Sequence, residues 1–187
     1  MRLTLTPASA YIIAATVLIM PVAGCAATPT SSQASATGSP SMSTAPALSD
    51  DEAQAQVVAL GREIVQATQL QGVKAGFEFS SCNDQGDPPY KGWLQIAFDI
   101  PAGANPADYI KHIATTMQAQ GWSAGPPANQ SYVGTVISKG GIAAQLGGPT
   151  SVSPKATIDI YGECRNMTNH HNDNKTNGQD VTPDVSS

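Results

Sequence analysis

Apolar side chains along this chain recur with two different periods, and the switches between them mark out one folded region. Ala53, Val57, Leu60, Ile64 and Ala67 return every three or four positions, the spacing that lays one stripe of a helix against a core. Ser49, followed three residues later by Glu52, is a capping-box pair, and Asp50, Asp51 and Glu52 suit the positive end of a helix dipole. This helix is predicted to end near Gly72. A second helix is framed by Asn105 as cap, Pro106 at the first helical position and Gly121 as terminator. Ile110, Ile113, Ala114 and Met117 share one of its faces, and Trp122 is placed to fold back on the last turn.

Elsewhere the period shortens to two. Val73, Ala75, Phe77 and Phe79 point one way, with Lys74 and Glu78 opposite; Leu94, Ile96, Phe98 and Ile100 alternate similarly with Gln95 and Asp99. Strands near 131–138 and 141–147, joined at Gly140-Gly141, read as a hairpin, and Ala156 to Cys164 as a last strand with Ile158 and Ile160 inward. The order α-β-β-α-β-β-β predicts an α+β domain, a curved antiparallel sheet of about five strands with both helices packed on one face. Cys82 has the parity opposite to Phe77 and Phe79. The first strand must therefore end or bulge near Ser81 if Cys82 is to meet Cys164 from the core side.

The N-terminus follows a different logic. Arg2, the apolar run from Tyr11 to Met20 and then Val22-Ala23-Gly24 supply the three parts of a secretory signal in order. The run is shorter than the ~20 residues a permanent spanning helix needs. Cys25, directly after Val-Ala-Gly, completes a lipobox, in which the thiol is acylated and becomes the new N-terminus. Residues 1–24 are thus expected to be a lipoprotein signal peptide. At about 0.8 kcal/mol per buried methylene, two or more chains hold a protein stably on a membrane. Cys25 is followed by a Ser/Thr/Pro-rich stretch to residue 48, with Thr28-Pro29-Thr30, Gly38-Ser39-Pro40 and Thr44-Ala45-Pro46, which reads as a flexible stalk of a composition sometimes O-glycosylated. Residues 49–164 make the single domain. Residues 165–187, with Asn166, Asn169, Asn172, Asn174 and Asn177 and few large apolar residues, read as a disordered polar tail.

Setting Cys25 aside leaves Cys82 and Cys164, an even pair in an oxidising space, and one disulfide is expected. No Cys-x-x-Cys and no adjacent histidine favours a redox or metal-binding pair. Lys and Arg number 9 against 14 Asp and Glu, net −5, and removal of Arg2 with the signal gives −6. Without a basic patch to neutralise phosphates, nucleic acid is excluded as a partner, and the acyl anchor is left as the membrane attachment. The expected location is the extracytoplasmic face of the cell membrane.

The stretch Phe79-Ser80-Ser81-Cys82-Asn83-Asp84-Gln85-Gly86-Asp87-Pro88-Pro89-Tyr90, the Gly121-Trp122 helix exit and the closing Tyr161-Gly162-Glu163-Cys164, behind a lipobox and stalk, resemble small mycobacterial lipoproteins of the LppA-like kind. The match covers residues 49–164 loosely and the Cys82 loop best. The resemblance implies a compact α+β domain on a lipid anchor with no established enzymatic activity, so it carries over no catalytic residue.

Tests for chemistry give little. Asp84-Gln85-Gly86-Asp87 lacks the alternating oxygen array and terminal glutamate of a calcium loop and reads as a turn before Pro88-Pro89. His170 and His171, with Asp173, fall in the expected tail, where no preformed zinc site is expected, and His112 reads as a solvated helix residue. No Gly-x-Ser-x-Gly elbow, His-Glu-x-x-His or phosphate loop is present, and no catalytic residue, metal or cofactor is assigned. A positive candidate is the sheet face away from the helices, where Trp93, Gln95, Asp99, Asp159, Tyr161 and Glu163 are expected to project, aromatics among polar groups as on a binding surface. Tyr90, after Pro88-Pro89 and near Trp93, could form a rigid lip beside it. The reading is a non-enzymatic, membrane-anchored envelope lipoprotein that binds a lipid, small ligand or protein partner. The alternatives are a structural or host-facing surface protein without a small ligand and an envelope enzyme of unrecognised type.

Overall fold

The computed structural model describes residues 45–187; the expected signal peptide, Cys25 and the expected stalk up to residue 44 lie outside the described residues. In chain order the elements are α1 (Asp50–Thr68), β1 (Gln71–Ser81), β2 (Tyr90–Asp99), α2 (Pro106–Ala119), β3 (Ser123–Ala124), β4 (Thr135–Lys139), β5 (Ile142–Gly147), β6 (Ala156–Tyr161), β7 (Gln179–Asp180) and α3 (Thr182–Ser186). The strands form one antiparallel sheet in the order β3-β4-β5-β6-β2-β1-β7. The five longer strands are those read from the alternation, and the two edge strands are two-residue additions. The fold is α+β, as expected.

Both halves of the capping box close α1: the Ser49 hydroxyl accepts from the Glu52 N–H at 3.3 Å, and the Glu52 carboxylate accepts from the Ser49 N–H at 2.8 Å. The helix stops short of Gly72. Gln69 turns left-handed at φ 52 and its N–H reaches the Val65 carbonyl. Gly72 instead sits at a register shift near the start of β1 with φ +63, where the Asp99 carboxylate takes the space a Cβ would need. The buried stripe of α1 is Ala53, Val57, Val58, Gly61, Ile64 and Val65, with Leu60 half-buried and Ala67 exposed. It is rotated toward Gly61 because Leu94 and Ile96 come so close there that a Cβ would clash.

The second helix follows its signals throughout. The Asn105 side chain accepts from the Ala107 and Asp108 N–H groups, Gly121 takes φ +87, and the Trp122 N–H returns to the Met117 carbonyl at 3.1 Å. Trp122 is then fixed by its indole N–H on Glu63, whose carboxylate also holds Lys139 of β4 at 2.7 Å. That pair ties α1, the exit of α2 and β4 together. One continuous core joins Val57 and Ile64 of α1, Ile113 and Met117 of α2 and the inward residues Leu94, Ile96, Phe98, Ile137, Ile158 and Ile160. β1 ends at Ser81, one residue before Cys82, which removes the parity conflict, and Cys82 is disulfide-bonded to Cys164 with a Cα separation of 6.0 Å.

Residues 165–187 depart from the expectation of a disordered tail. They run along the outer edge of β1 and close the core. Asn166 is buried and exchanges two backbone hydrogen bonds with Tyr90. His170 is fully buried, stacked on Phe79 at 4.1 Å and edge-on to Tyr90 at 4.9 Å. The Phe79 N–H donates to the Lys175 carbonyl, the Val181 N–H to the Ala75 carbonyl, and Val181 and Val185 enter the core. Composition misleads here because the apolar partners are supplied by the rest of the domain. The abundant Asn and Asp form local turns, with Asn169 accepting from the His171 N–H and Asp173 from the Lys175 N–H.

The segment also seats the first turn of α1. Asp50 accepts from the Asn166 amide and the Lys175 ammonium, each at 2.7 Å, and the His170 ring lies between Asp50 at 3.5 Å and Asp173 at 2.6 Å. Burial pushes the Asp50 carboxyl upward, but hydrogen bonds from Lys175, Asn166 and Thr168 and the field of His170 outweigh it and hold the pKa at about 2. Below its ordinary value of 3.8 the unfolded chain takes up the proton that the folded chain refuses. The contribution is therefore fully present above about pH 4 and is lost as pH falls through 2. An acid titration of the unfolding free energy should show a loss of about 2 kcal/mol over that window that Asp50→Asn removes. An unchanged acid limb in the variant would show that Asp50 is not its source.

Candidate functional site

The side of the sheet away from the helices carries cross-strand rows set by the strand registers. In one row Glu78, Trp93 and Tyr161 stand opposite one another on β1, β2 and β6; in the next, Gly76, Gln95, Asp159 and Gln145 do so on β1, β2, β6 and β5. Directly opposite residues are the closest neighbours a sheet offers, so each row acts as a unit. Asp159 Oδ1 joins the two rows, accepting from the Trp93 indole N–H at 3.1 Å and the Gln95 amide at 3.0 Å. The Trp93 and Tyr161 rings stack with centroids 5.9 Å apart, Tyr132 stacks on Tyr161 at 5.3 Å, and Lys91 Nζ lies 5.1 Å from the Tyr161 ring centre. Three aromatic rings, an amide, a carboxylate and a cation thus converge on a half-exposed face.

Their electrostatics suit recognition. Burial, followed by the negative charge of Asp159 and the neighbouring Tyr132, pushes the Tyr161 hydroxyl up to about 12, and burial also raises Tyr132. Both are phenols at neutral pH, and the Tyr132 hydroxyl donates to the Gln130 side-chain carbonyl at 3.0 Å. Burial lowers the Lys91 ammonium and raises the Glu78 carboxyl.

Of the seven residues proposed for this surface, Trp93, Gln95, Asp159 and Tyr161 form the cluster. Asp99 shares the face but lies at its far end, paired with Lys155 at 2.6 Å. Tyr90 is not a lip: it is 2% exposed, its hydroxyl donates to the Gly86 carbonyl and its ring meets His170 inside the core. Glu163 lies beyond the end of β6, where alternation no longer governs direction, and is held from the helix side by Gln56 of α1 at 2.7 Å and by Arg165 at 3.3 Å. Tyr132 and Lys91 belong to the cluster and were missed. Lys91 was legible, since it alternates in phase with Trp93 and Gln95. The alternation predicts a strand over 131–138 that includes Tyr132, but Gly134 at φ +89 delays β4 to Thr135, and the preceding loop folds onto the face, held by the Gln145 amide on the Val133 carbonyl.

The family model described as "Putative lipoprotein LppJ" matches residues 49–184. This chain belongs to the LppJ family. The LppJ proteins of Mycobacterium tuberculosis strains CDC 1551 / Oshkosh and H37Rv are each 41% identical to it over 175 residues, which span 94% of this chain and 90% of theirs. The LppJ protein of Mycobacterium bovis is 41% identical over 155 residues, 83% of this chain and 81% of its own. No solved structure matches the chain. The resemblance read from the Cys82 loop and the Tyr161–Cys164 close holds at the breadth of a mycobacterial lipoprotein family, and the family that matches is LppJ. Its model extends to residue 184, through the segment that carries His170 and Val181.

Depressions open on the surface of this LppJ-family domain among the described residues. One of about 130 Å³ lies at the start of α1 between Asp50, Gln54, Phe79 and Lys175. Another, of about 380 Å³, lies on the outer face over β7, β1 and β2, bounded by Lys74, Gly76, Gln95, Ala97, Asp180 and Thr182. Gln95 belongs both to this depression and to the aromatic cluster. His171 meets Asp87 at 3.1 Å, and His112 is exposed. Among the described residues no group of three or more His, Cys, Asp or Glu side chains is placed to hold a metal ion.

Proposed function

We propose that this LppJ-family chain is acylated at Cys25, is held by that lipid on the extracytoplasmic face of the cell membrane, and works there by binding rather than catalysis. The outer sheet face is its binding surface. The observation that carries the reading is the row of Trp93, Tyr161 and Tyr132 with Gln95 and Asp159, aromatic and polar groups ordered on a face the core does not use. Asp159 already accepts two hydrogen bonds, which fixes the Trp93 and Gln95 side chains in place for a ligand. The Cys82–Cys164 bridge is in keeping with an oxidising compartment.

Expressed as the full chain in a mycobacterium, the wild type should partition into detergent with an acylated Cys25 at its N-terminus, and Cys25→Ser should stay unprocessed or move to the aqueous phase. Acylation that survives the change would overturn the anchor. Native mass spectrometry of the wild type prepared from that envelope should show an added mass that denaturation removes and Trp93→Ala diminishes. A carried mass indifferent to Trp93 would place binding elsewhere on the domain.

A further inference from the structure

Gly76 has no structural reason to be glycine. It sits inside β1, paired with Gln95 on one side and Asp180 on the other, and a glycine within a strand weakens it. Its backbone does not need one, because Gly76 is not among the residues with positive φ. Packing does not need one either: a Cβ built there meets nothing within 4 Å. Gly61 and Gly92 are different, since a Cβ on either would strike Leu94 or the Ala53 carbonyl. What the missing side chain at 76 does is keep open the floor of the outer-face depression, beside the short methyl side chain of Ala97. In strands, such glycines mark a bulge, a bend or the close approach of a ligand or another backbone, and at Gly76 the register is regular.

The groups around that floor define the visitor. One N–H of the Gln95 amide is held by Asp159, while its carbonyl has no partner among the described residues. Asp180 accepts through Oδ1 from the Thr182 N–H at 2.9 Å and lies within the field of Lys74. Lys74 makes no salt bridge among the described residues. The wall therefore mixes donors and acceptors and carries one positive and one negative group, the setting for a neutral molecule rich in hydroxyls. An acyl chain would strip water from Lys74 and Asp180 without replacing it. An anionic ligand would face Asp180, and a cationic one Lys74. An extended peptide would need an open strand edge, but the outer edge of β1 is occupied by backbone of residues 175–181 and that of β4 by β3.

We propose that the depression over Gly76 and Ala97 binds a neutral oligosaccharide. This rests on the reading of the outer face as the binding surface and names its ligand class. One ring fits the depression, whose volume is at the small end of the ~300–1,000 Å³ usual for ligand sites. Trp93 stands two residues along β2 from Gln95, about 7 Å away at strand spacing. The next ring of the same chain can therefore lie against the indole, which favours oligosaccharides over single sugars.

The test uses the full mature chain, secreted with its disulfide and carrying Cys25→Ser, titrated by NMR with free neutral oligosaccharides of two to six hexose, pentose or N-acetylhexosamine units. The expected result is a binder that shifts the Gly76 and Gln95 amides. Gly76→Thr should weaken it by about tenfold or more while raising the unfolding midpoint, because a β-branched residue favours a strand. Trp93→Ala should weaken the oligosaccharide more than its monosaccharide. A structural role for Gly76 predicts the reverse, a less stable variant. Saccharide binding indifferent to Gly76→Thr would overturn the site. If no saccharide binds but the mass carried from the native envelope is lost in Gly76→Thr, the ligand class is wrong and the binding surface stands, a peptide mass among the results that would show it. If no saccharide binds and that mass ignores both Gly76 and Trp93, both readings fall.

Discussion

Ending the chain at Arg165 is expected to abolish the native fold. The lost segment supplies Val181 and Val185, both fully buried, and burial of a valine contributes about 1.5–3 kcal/mol. It also removes the His170 ring from its stack on Phe79, comparable to a large core truncation at about 2–5 kcal/mol. Asn166 and Lys175 go with it, leaving Asp50 without the donors that hold its charge. Together these approach the whole of the ~5–15 kcal/mol by which a domain is stable. The outer edge of β1, now covered by residues 175–181, would also be bared, and an open strand edge pairs with other chains. Circular dichroism and size-exclusion chromatography of the mature chain with and without residues 166–187 check this. A cooperative, monomeric truncation with an unchanged melting temperature would show the segment to be dispensable. His170→Ala within the full chain separates the ring from the rest and should cost about 3 kcal/mol in urea unfolding.

The segment was also the part of the fold least legible in the sequence. Where an element carries its own signals, the reading held: Asn105, Pro106 and Gly121 bound α2, and the alternation through Leu94, Ile96 and Phe98 sets the face of β2. Where the chain is ordered by surfaces that other elements provide, local pattern says nothing. His170 is buried because Phe79 and Tyr90 wait for it, and nothing near position 170 records that. The same division runs through the candidate site. Trp93, Gln95, Asp159 and Tyr161 were placed by strand parity. Tyr90 and Glu163 were misplaced at strand ends, where parity fails, and Tyr132 was hidden by a glycine that delays its strand.

Breaking the Cys82–Cys164 bridge should be the next largest perturbation. The bridge closes a loop with a sequence separation of 82 residues, for which the chain-entropy treatment gives about 4.5 kcal/mol, against about 2–5 measured for native bridges in small secreted domains. At roughly 3 °C per kcal/mol for a domain of this size, the paired Cys82→Ser and Cys164→Ser variant should melt roughly 10–15 °C lower. The loss will not be evenly spread. Cys164 lies two residues before Asn166, whose backbone pairs with Tyr90, and the loop that Cys82 opens meets the closing segment again through Asp87 and His171. Hydrogen exchange should therefore rise most in residues 82–90 and 165–177, while β2, β6 and the ring stack of Trp93, Tyr161 and Tyr132 keep their protection. Equal melting temperatures would show that the bridge adds nothing the packing of His170 and Asn166 does not already secure. The expected fall has a further consequence: the closing segment docks firmly only once the bridge has formed. The domain would then reach full stability only where its thiols can oxidise.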